Sequence, residues 1–193
     1  MSLETAQTFS TLIAQEEVSI MRAARADPTH FALIYERYFP RIYAYCLRQI
    51  GNAEEAEDMA SLVFFQAFKN VQQYRGGSVT AWLFRIAYGT VMNHLRKTRY
   101  STVSIEERVP EIASQEPEPL EEIVHAETQE IIRTLINSLS ADDQHLLSLK
   151  IDAGLNSQEI GELLDLSPNA VRTRLHRIIK RLREQYRQTE KRK

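Results

Sequence analysis

The chain has 193 residues, room for one or two ordinary domains, and its 43% hydrophobic and 26% charged residues fit a soluble protein with real cores. With Cys46 as its single cysteine it cannot form an internal disulfide or an all-cysteine zinc site, so a reducing, cytoplasmic setting is expected. No apolar run reaches the length of a membrane span, and MSLETAQTFSTLIAQEE lacks the basic start, long apolar centre and cleavage site of an export signal.

Residues 1–17 show no firm pattern; a helix is expected to start near Glu16 and run through Arg25. Asp27-Pro28 combines a capping residue with a proline start. Phe31, Ile34, Tyr35, Tyr38, Ile42, Tyr45 and Cys46 then follow helical spacing to about Ile50. Pro40 interrupts that run, and a kink is expected there rather than a break, because the apolar spacing continues through it. Gly51 is placed to end this helix, and Asn52 with Glu55 to start the next as a capping box. In AEEAEDMASLVFFQAFKNV the expected buried stripe is Met59, Val63 and Ala67, broadened by Leu62, Phe65 and Phe68. The acidic first turn suits the helix dipole.

Tyr74-Arg75-Gly76-Gly77-Ser78 reads as a loop. After it, Val79, Leu83, Ile86, Val91 and Leu95 return to helical period. Trp82, Tyr88, Arg85, Arg96 and Lys97 sit among them, so aromatic and basic side chains alternate. Aromatic faces accept unstacked bases while cations follow phosphates, which is how single strands are held. Trp82 and Phe84 are equally readable as core. Ser101 to about Glu121 has three prolines, many glutamates and little periodicity, the composition of a linker. At roughly 3.3 Å per residue it would reach ~65 Å, about two turns of duplex.

A second domain begins in LEEIVHAETQEIIRTLINSL. Ser140 to Asp143 start a helix running to Lys150, and Gly154 closes it. Asn156 and Glu159 form another capping box, followed by the apolar face of Ile160, Leu163 and Leu164. Ser167 caps the last helix with Pro168 at its first position. Val171, Leu175, Ile178 and Leu182 make its buried stripe, while Arg172, Thr173, His176, Arg177 and Lys180 take the other face. Gly161 is expected where the two helices cross. A short helix, a turn and a polar, basic helix make the layout of a helix-turn-helix. A solvated basic surface helix closing an all-α domain is the plainer reading of the same residues.

The net charge of −2 hides a strong segregation. Met59 to Ile105 contains no Asp or Glu but has Lys69, Arg75, Arg85, Arg96, Lys97 and Arg99. Glu106 to Glu130 has nine Glu against Arg108, and Val171 to the end has ten Lys or Arg against Glu184 and Glu190. Two basic surfaces around an acidic connector point to two sites on one polyanion. Catalytic chemistry finds little support. Cys46 lies on an apolar stripe, the five histidines have no metal-ligand spacing, and Gly76-Gly77 lacks the Lys-Ser/Thr of a phosphate loop.

Two separated blocks carry a resemblance. DPTHFALIYERYFPRIYAYCLRQIGNAEEAEDMASLVFFQAF with YRGGSVTAWLFRIAYGTVMNHLRK, and LSADDQHLLSLKIDAGLNSQEIGELLDLSPNAVRTRLHRIIKRLRE, resemble the bacterial extracytoplasmic-function (ECF) sigma factors, the two-domain kind. The resemblance implies an all-α protein of two helical domains joined by a flexible acidic linker: residues 16–100, a linker at 101–121, and a helix-turn-helix domain at 122–186. It implies that Ala56-Glu57-Asp58 and the turns after it, Ser61, Leu62 and Phe65 included, dock on a coiled coil of the largest RNA polymerase subunit. The polymerase flap is an implied second contact. Ser61-Leu62 departs from the family's usual Gln-Glu. The loop and helix after it would open the promoter at its −10 element, making Tyr74, Arg75, Ser78, Trp82, Arg85, Asn93 and Arg96 candidates for holding bases of the non-template strand. Tyr88-Gly89 and Asn93 depart from the family pattern, which implies a changed base preference. Arg172, Thr173, His176 and Arg177 would read the upstream (−35) element as duplex, with Arg174 toward its backbone. An anti-sigma factor is an implied partner and would hold the chain at the membrane. No catalytic residue, cofactor or metal is implied. Two other readings remain open at this point: a stand-alone helix-turn-helix regulator, and a sigma mimic that titrates an anti-sigma factor.

Overall fold

The computed structural model describes residues 3–101 and 121–190, and every regular element in them is helical. The chain divides into two compact units, Met1–Glu111 and Ile112–Lys193. Most of the linker predicted at 101–121, residues 102–120, lies outside the described residues.

The N-terminal unit contains α1 (Leu3–Ala26), α2 (Phe31–Ile50), α3 (Ala53–Lys69) and α4 (Val79–Ser101). Helix α1 begins well before the expected Glu16. Its early sequence mixes good helix formers with Thr5, Thr8 and Thr11 and lacks a regular apolar stripe, so the sequence signal there is weak. Asp27 accepts from the Thr29 N–H at 3.0 Å, but the proline start opens a single 3-10 turn, Pro28–His30, and α2 follows from Phe31. Helix α2 buries Phe31, Ile34, Tyr38, Ile42 and Tyr45 and runs through Pro40. Pro40 is on the exposed side, where water can satisfy the carbonyl its ring leaves free. Gly51 ends α2 at φ 78°, in the left-handed region, with its N–H on Leu47 O at 2.8 Å. Asn52 then caps α3 through the Glu55 N–H at 2.9 Å. The Glu55 carboxylate meets His94 Nε2 of α4 at 3.1 Å.

The buried stripe of α3 is Ala56, Ala60, Val63, Phe64 and Ala67. This corrects the expectation for Leu62, Phe65 and Phe68, which are 38%, 55% and 42% exposed. Apolar residues occur almost all round this helix. The alanine row faces inward with Val63 and Phe64, because small side chains allow a close approach of a neighbouring helix, and Leu62, Phe65 and Phe68 are left partly exposed. In α4, Val79, Leu83, Phe84, Ala87 and Val91 are buried.

Glu17 of α1 is 6% exposed and is held by two partners. Tyr38 donates its hydroxyl to Glu17 Oε1 at 2.9 Å, and Arg37 lies 3.4 Å from the same oxygen. The Tyr38 oxygen also lies 2.6 Å from Thr80 Oγ1 at the start of α4. Because the carboxylate only accepts, the Tyr38 proton goes to Glu17 and Thr80 donates to Tyr38.

The C-terminal unit contains α5 (Glu121–Asn137), α6 (Ala141–Ile151), α7 (Ser157–Leu164) and α8 (Pro168–Glu190). Ser140 caps α6 through the Asp143 N–H at 3.3 Å. Leu139, Leu146, Leu149, Leu155, Ile160, Val171 and Ile178 form the core.

His145 is buried on α6, and burial lowers its pKa to about 4, against a smaller opposing effect of Asp142. The unfolded imidazole titrates near ~6.5. Between those values the unfolded chain binds a proton that the folded chain refuses, so stability is present above ~6.5 and is lost as pH falls toward 4. The urea midpoint of the full chain should therefore fall from pH 7 to pH 5, and fall less in His145→Gln.

Candidate nucleic-acid interface

Local interactions fix the angle at which α8 leaves α7. Asn156 Oδ1 accepts from the N–H groups of Gln158 and Glu159 at 2.9 and 3.0 Å, and Glu159 Oε2 accepts from the Asn156 N–H at 2.8 Å. That is a complete capping box. Asp165 ends α7 in the left-handed region at φ 55°, and Leu166 N–H donates to Gly161 O at 2.9 Å. Ser167 Oγ accepts from the Ala170 N–H at 3.1 Å and starts α8. A Cβ at Gly161 would lie 2.5 Å from Leu166 O. The small residue therefore admits the backbone of the turn rather than the crossing helix.

Val171, Leu175 and Ile178 point α8 into the core, which leaves Arg172, Thr173, His176 and Arg177 exposed on the opposite side with Lys180. These four predicted contact residues share one face near the helix N-terminus, where the backbone dipole also favours phosphate. Arg174 is placed differently. Its Nε donates to Asp143 Oδ1 at 2.6 Å, and its guanidinium lies 3.8 Å from Asp142. In the free chain this pairing clamps α8 onto α6, while the Arg174 side chain keeps 38% of its surface exposed. Asp143 is half-buried, and desolvation makes it the stronger competitor for the charge. Arg174, Thr173, Arg177 and Arg181 line an open groove of about 600 Å³ beside Leu139 and Asp143.

In the N-terminal unit, Gly76 and Gly77 adopt φ 99° and 87° and turn the chain back into α4. Tyr74 is 2% exposed and donates its hydroxyl to Gly77 O at 2.6 Å. It therefore cannot offer its ring to a base in this conformation; it braces the loop and meets Trp82 edge to face at 5.6 Å. Ser78 Oγ accepts from the Ala81 N–H at 3.1 Å and caps α4. Arg75 and Arg85 are exposed, and Trp82 is half-buried, between the two readings its sequence allowed. Asn93 Oδ1 accepts from Arg96, so these two exposed residues act as a pair. Trp82, Arg85, Asn93 and Arg96 lie on one helical face.

On α3, Glu57, Asp58, Ser61, Leu62 and Phe65 are all exposed on successive turns, acidic at the start and apolar beyond. Lys69 Nζ sits 4.5 Å from the Phe65 ring centroid. The pairing of Lys69 with Phe65 is not read in the sequence, although the Phe–Lys spacing of four is its signal.

Residues 34–100 match Sigma-70 region 2, and residues 129–182 match Sigma-70 region 4. The ECF RNA polymerase sigma factor SigW of Bacillus subtilis is 30% identical over an alignment of 186 positions that covers 87% of this chain and 95% of that protein. The chain belongs to the ECF sigma factors. The RNA polymerase sigma-H factor of Pseudomonas aeruginosa is 28% identical over 176 residues, covering 84% of this chain and 89% of its own. Among solved structures, the sigma factor RpoE of Bartonella quintana, in complex with the anti-sigma factor NepR, has a TM-score of 0.68 at 18% identity. It covers 81% of this chain and 96% of that one. CnrH, in complex with the cytosolic domain of CnrY, gives 0.60 at 18% identity over 86% and 92%. Both likenesses show the fold.

This sigma factor is a promoter-directing initiation factor, and one of its two matched regions falls in each helical unit. Cys46 is buried, and burial pushes its thiol up to about 12, so it is no nucleophile in the folded state. Among the described residues no cluster of His, Cys, Asp and Glu could hold a metal ion. Replacing Gly161 with Ala drives a methyl into Leu166 O. It should destabilise the helix-turn-helix unit by ~1–3 kcal/mol, read as a lower urea midpoint of the full chain.

Proposed function

We propose that the C-terminal unit anchors polymerase on the upstream promoter element as duplex, and that the α4 face holds the non-template strand of the −10 element once it opens. The exposed basic face of α8, with Arg172, Thr173, His176 and Arg177 on one side of a helix set by capped turns, carries this reading. Each good bidentate contact from such a face gives ~1–3 kcal/mol of base discrimination. Extruding a base costs a few kcal/mol, and stacking on an aromatic returns ~1–3 kcal/mol. The free chain therefore binds promoters weakly, and polymerase supplies the remaining free energy.

The outward face of α3, from Glu57 and Asp58 through Ser61, Leu62 and Phe65, is the proposed dock for the coiled coil of the polymerase largest subunit, with the flap meeting the C-terminal unit. An apolar row rimmed by charge supports this use, because exposed apolar side chains mark association surfaces. Two structural relatives are bound to an anti-sigma factor or to a cytosolic domain, which supports an anti-sigma partner for this chain. No helix among the described residues is long and apolar enough to cross a membrane. Membrane attachment would therefore come through such a partner, and the chain itself works in the cytoplasm.

In transcription assays with core enzyme, Arg172→Ala and Arg177→Ala should each lower promoter affinity about ten- to hundredfold and flatten its salt dependence. Arg174→Ala should instead lower thermal stability by ~0.5–1 kcal/mol with a smaller effect on base preference. An unchanged promoter profile in the first two variants would falsify the anchor.

Phe65→Ser should weaken core binding about tenfold or more while shifting stability by less than ~0.5 kcal/mol, because Phe65 is 55% exposed. Titration of labelled core with each variant measures this directly. Equal affinities would remove α3 from the polymerase interface.

A further inference from the structure

Gly89 lies well inside α4, where glycine is the least favourable residue after proline. An interior glycine ordinarily has one of two structural reasons: a left-handed backbone or the close approach of another segment. Gly89 has neither. The glycines at positive φ are Gly51, Gly76, Gly77 and Gly154, and a Cβ built at Gly89 meets nothing within 4 Å beyond its chain neighbours and the adjacent backbone of its own helix. Gly161 shows the contrast, since its Cβ would collide with backbone.

The open space lies on a particular face. Trp82, Arg85, Gly89, Asn93 and Arg96 recur at steps of three and four residues, which places Gly89 in the middle of the strand-facing row. Two cations and an aromatic ring thus flank a stretch of bare helix.

We infer that Gly89 is a notch for one unstacked base of the non-template strand, an inference that rests on the strand-capturing role proposed for α4. A planar base can lie against the helix backbone at Gly89, closer than any side chain would permit. Arg85 and Arg96 flank the notch along the helix and neutralise the phosphates on either side of that nucleotide. Asn93 Oδ1 is engaged by Arg96, which leaves the amide nitrogen as a donor toward a base oxygen or ring nitrogen. Adding a side chain at this position fills the notch and favours the fold at the same time. Stability and strand capture should therefore move in opposite directions.

The test uses full-length Gly89→Ala and Gly89→Leu with core polymerase. Gly89→Ala should raise the melting temperature by ~2–4 °C through helix propensity, and both variants should keep core affinity. Holoenzyme affinity for a single-stranded −10 oligonucleotide, and permanganate reactivity of the opened promoter, should fall about tenfold for Leu and less for Ala. A promoter library should show the change of base preference confined to one position. If Leu opens promoters as well as wild type, or if Ala lowers the melting temperature, the notch is overturned. A wild-type holoenzyme that opens no promoter in the library overturns the role of α4 itself, and the notch with it.

Discussion

A buried carboxylate is costly unless its charge is answered, and in the N-terminal unit that requirement joins three helices. Glu17 on α1 takes the Tyr38 proton from α2, and Tyr38 takes the Thr80 proton at the head of α4. Arg37 supplies the opposite charge at 3.4 Å. Burial pushes the Tyr38 phenol up to about 12, so it remains a donor throughout the physiological range. Arg41 lies over the same ring, 5.1 Å from its centroid. The relay sets the first turn of α4, and through it the direction in which Trp82 and Arg85 project.

Both units apply the same economy of surface. In α3, α4 and α8 one stripe is buried and the opposite stripe stays exposed. In α8 the inward row is Val171, Leu175 and Ile178, and the outward row is cationic. In α4 the inward row is Val79, Leu83, Phe84, Ala87 and Val91, and the outward row mixes aromatic and basic groups suited to bases and phosphates. Helix α3 differs because its outward row begins acidic and becomes apolar, a character suited to protein rather than nucleic acid. Segregation along the chain in this way explains how a protein of formal charge −2 can present cationic faces to DNA.

Much of this was legible before any coordinates, and the legible parts are local. The capping box of Asn156 and Glu159, the Ser167 cap and the Val171–Leu175–Ile178 stripe each depend on residues within a few positions of one another. The parts that differed depend on distance or on choice. Arg174 is paired with Asp143, thirty-one positions away, which no periodicity can reveal. Tyr74 is buried because two glycines fold the loop back over it. The outward turn of Leu62, Phe65 and Phe68 was hidden because α3 is apolar nearly all round, and only packing against α2 selects the alanine row. Gly89 stands out in the sequence only as a departure from the family pattern, and the open space beside it depends on packing that periodicity does not carry.

The single thiol of the chain has a wider consequence. With Cys46 fully buried and its pKa near about 12, roughly one molecule in a hundred thousand would carry the thiolate at neutral pH. Peroxides and disulfides attack cysteine through that anion, so burial shields this thiol from them while the protein stays folded. A redox signal read through this cysteine would first have to open the packing around it.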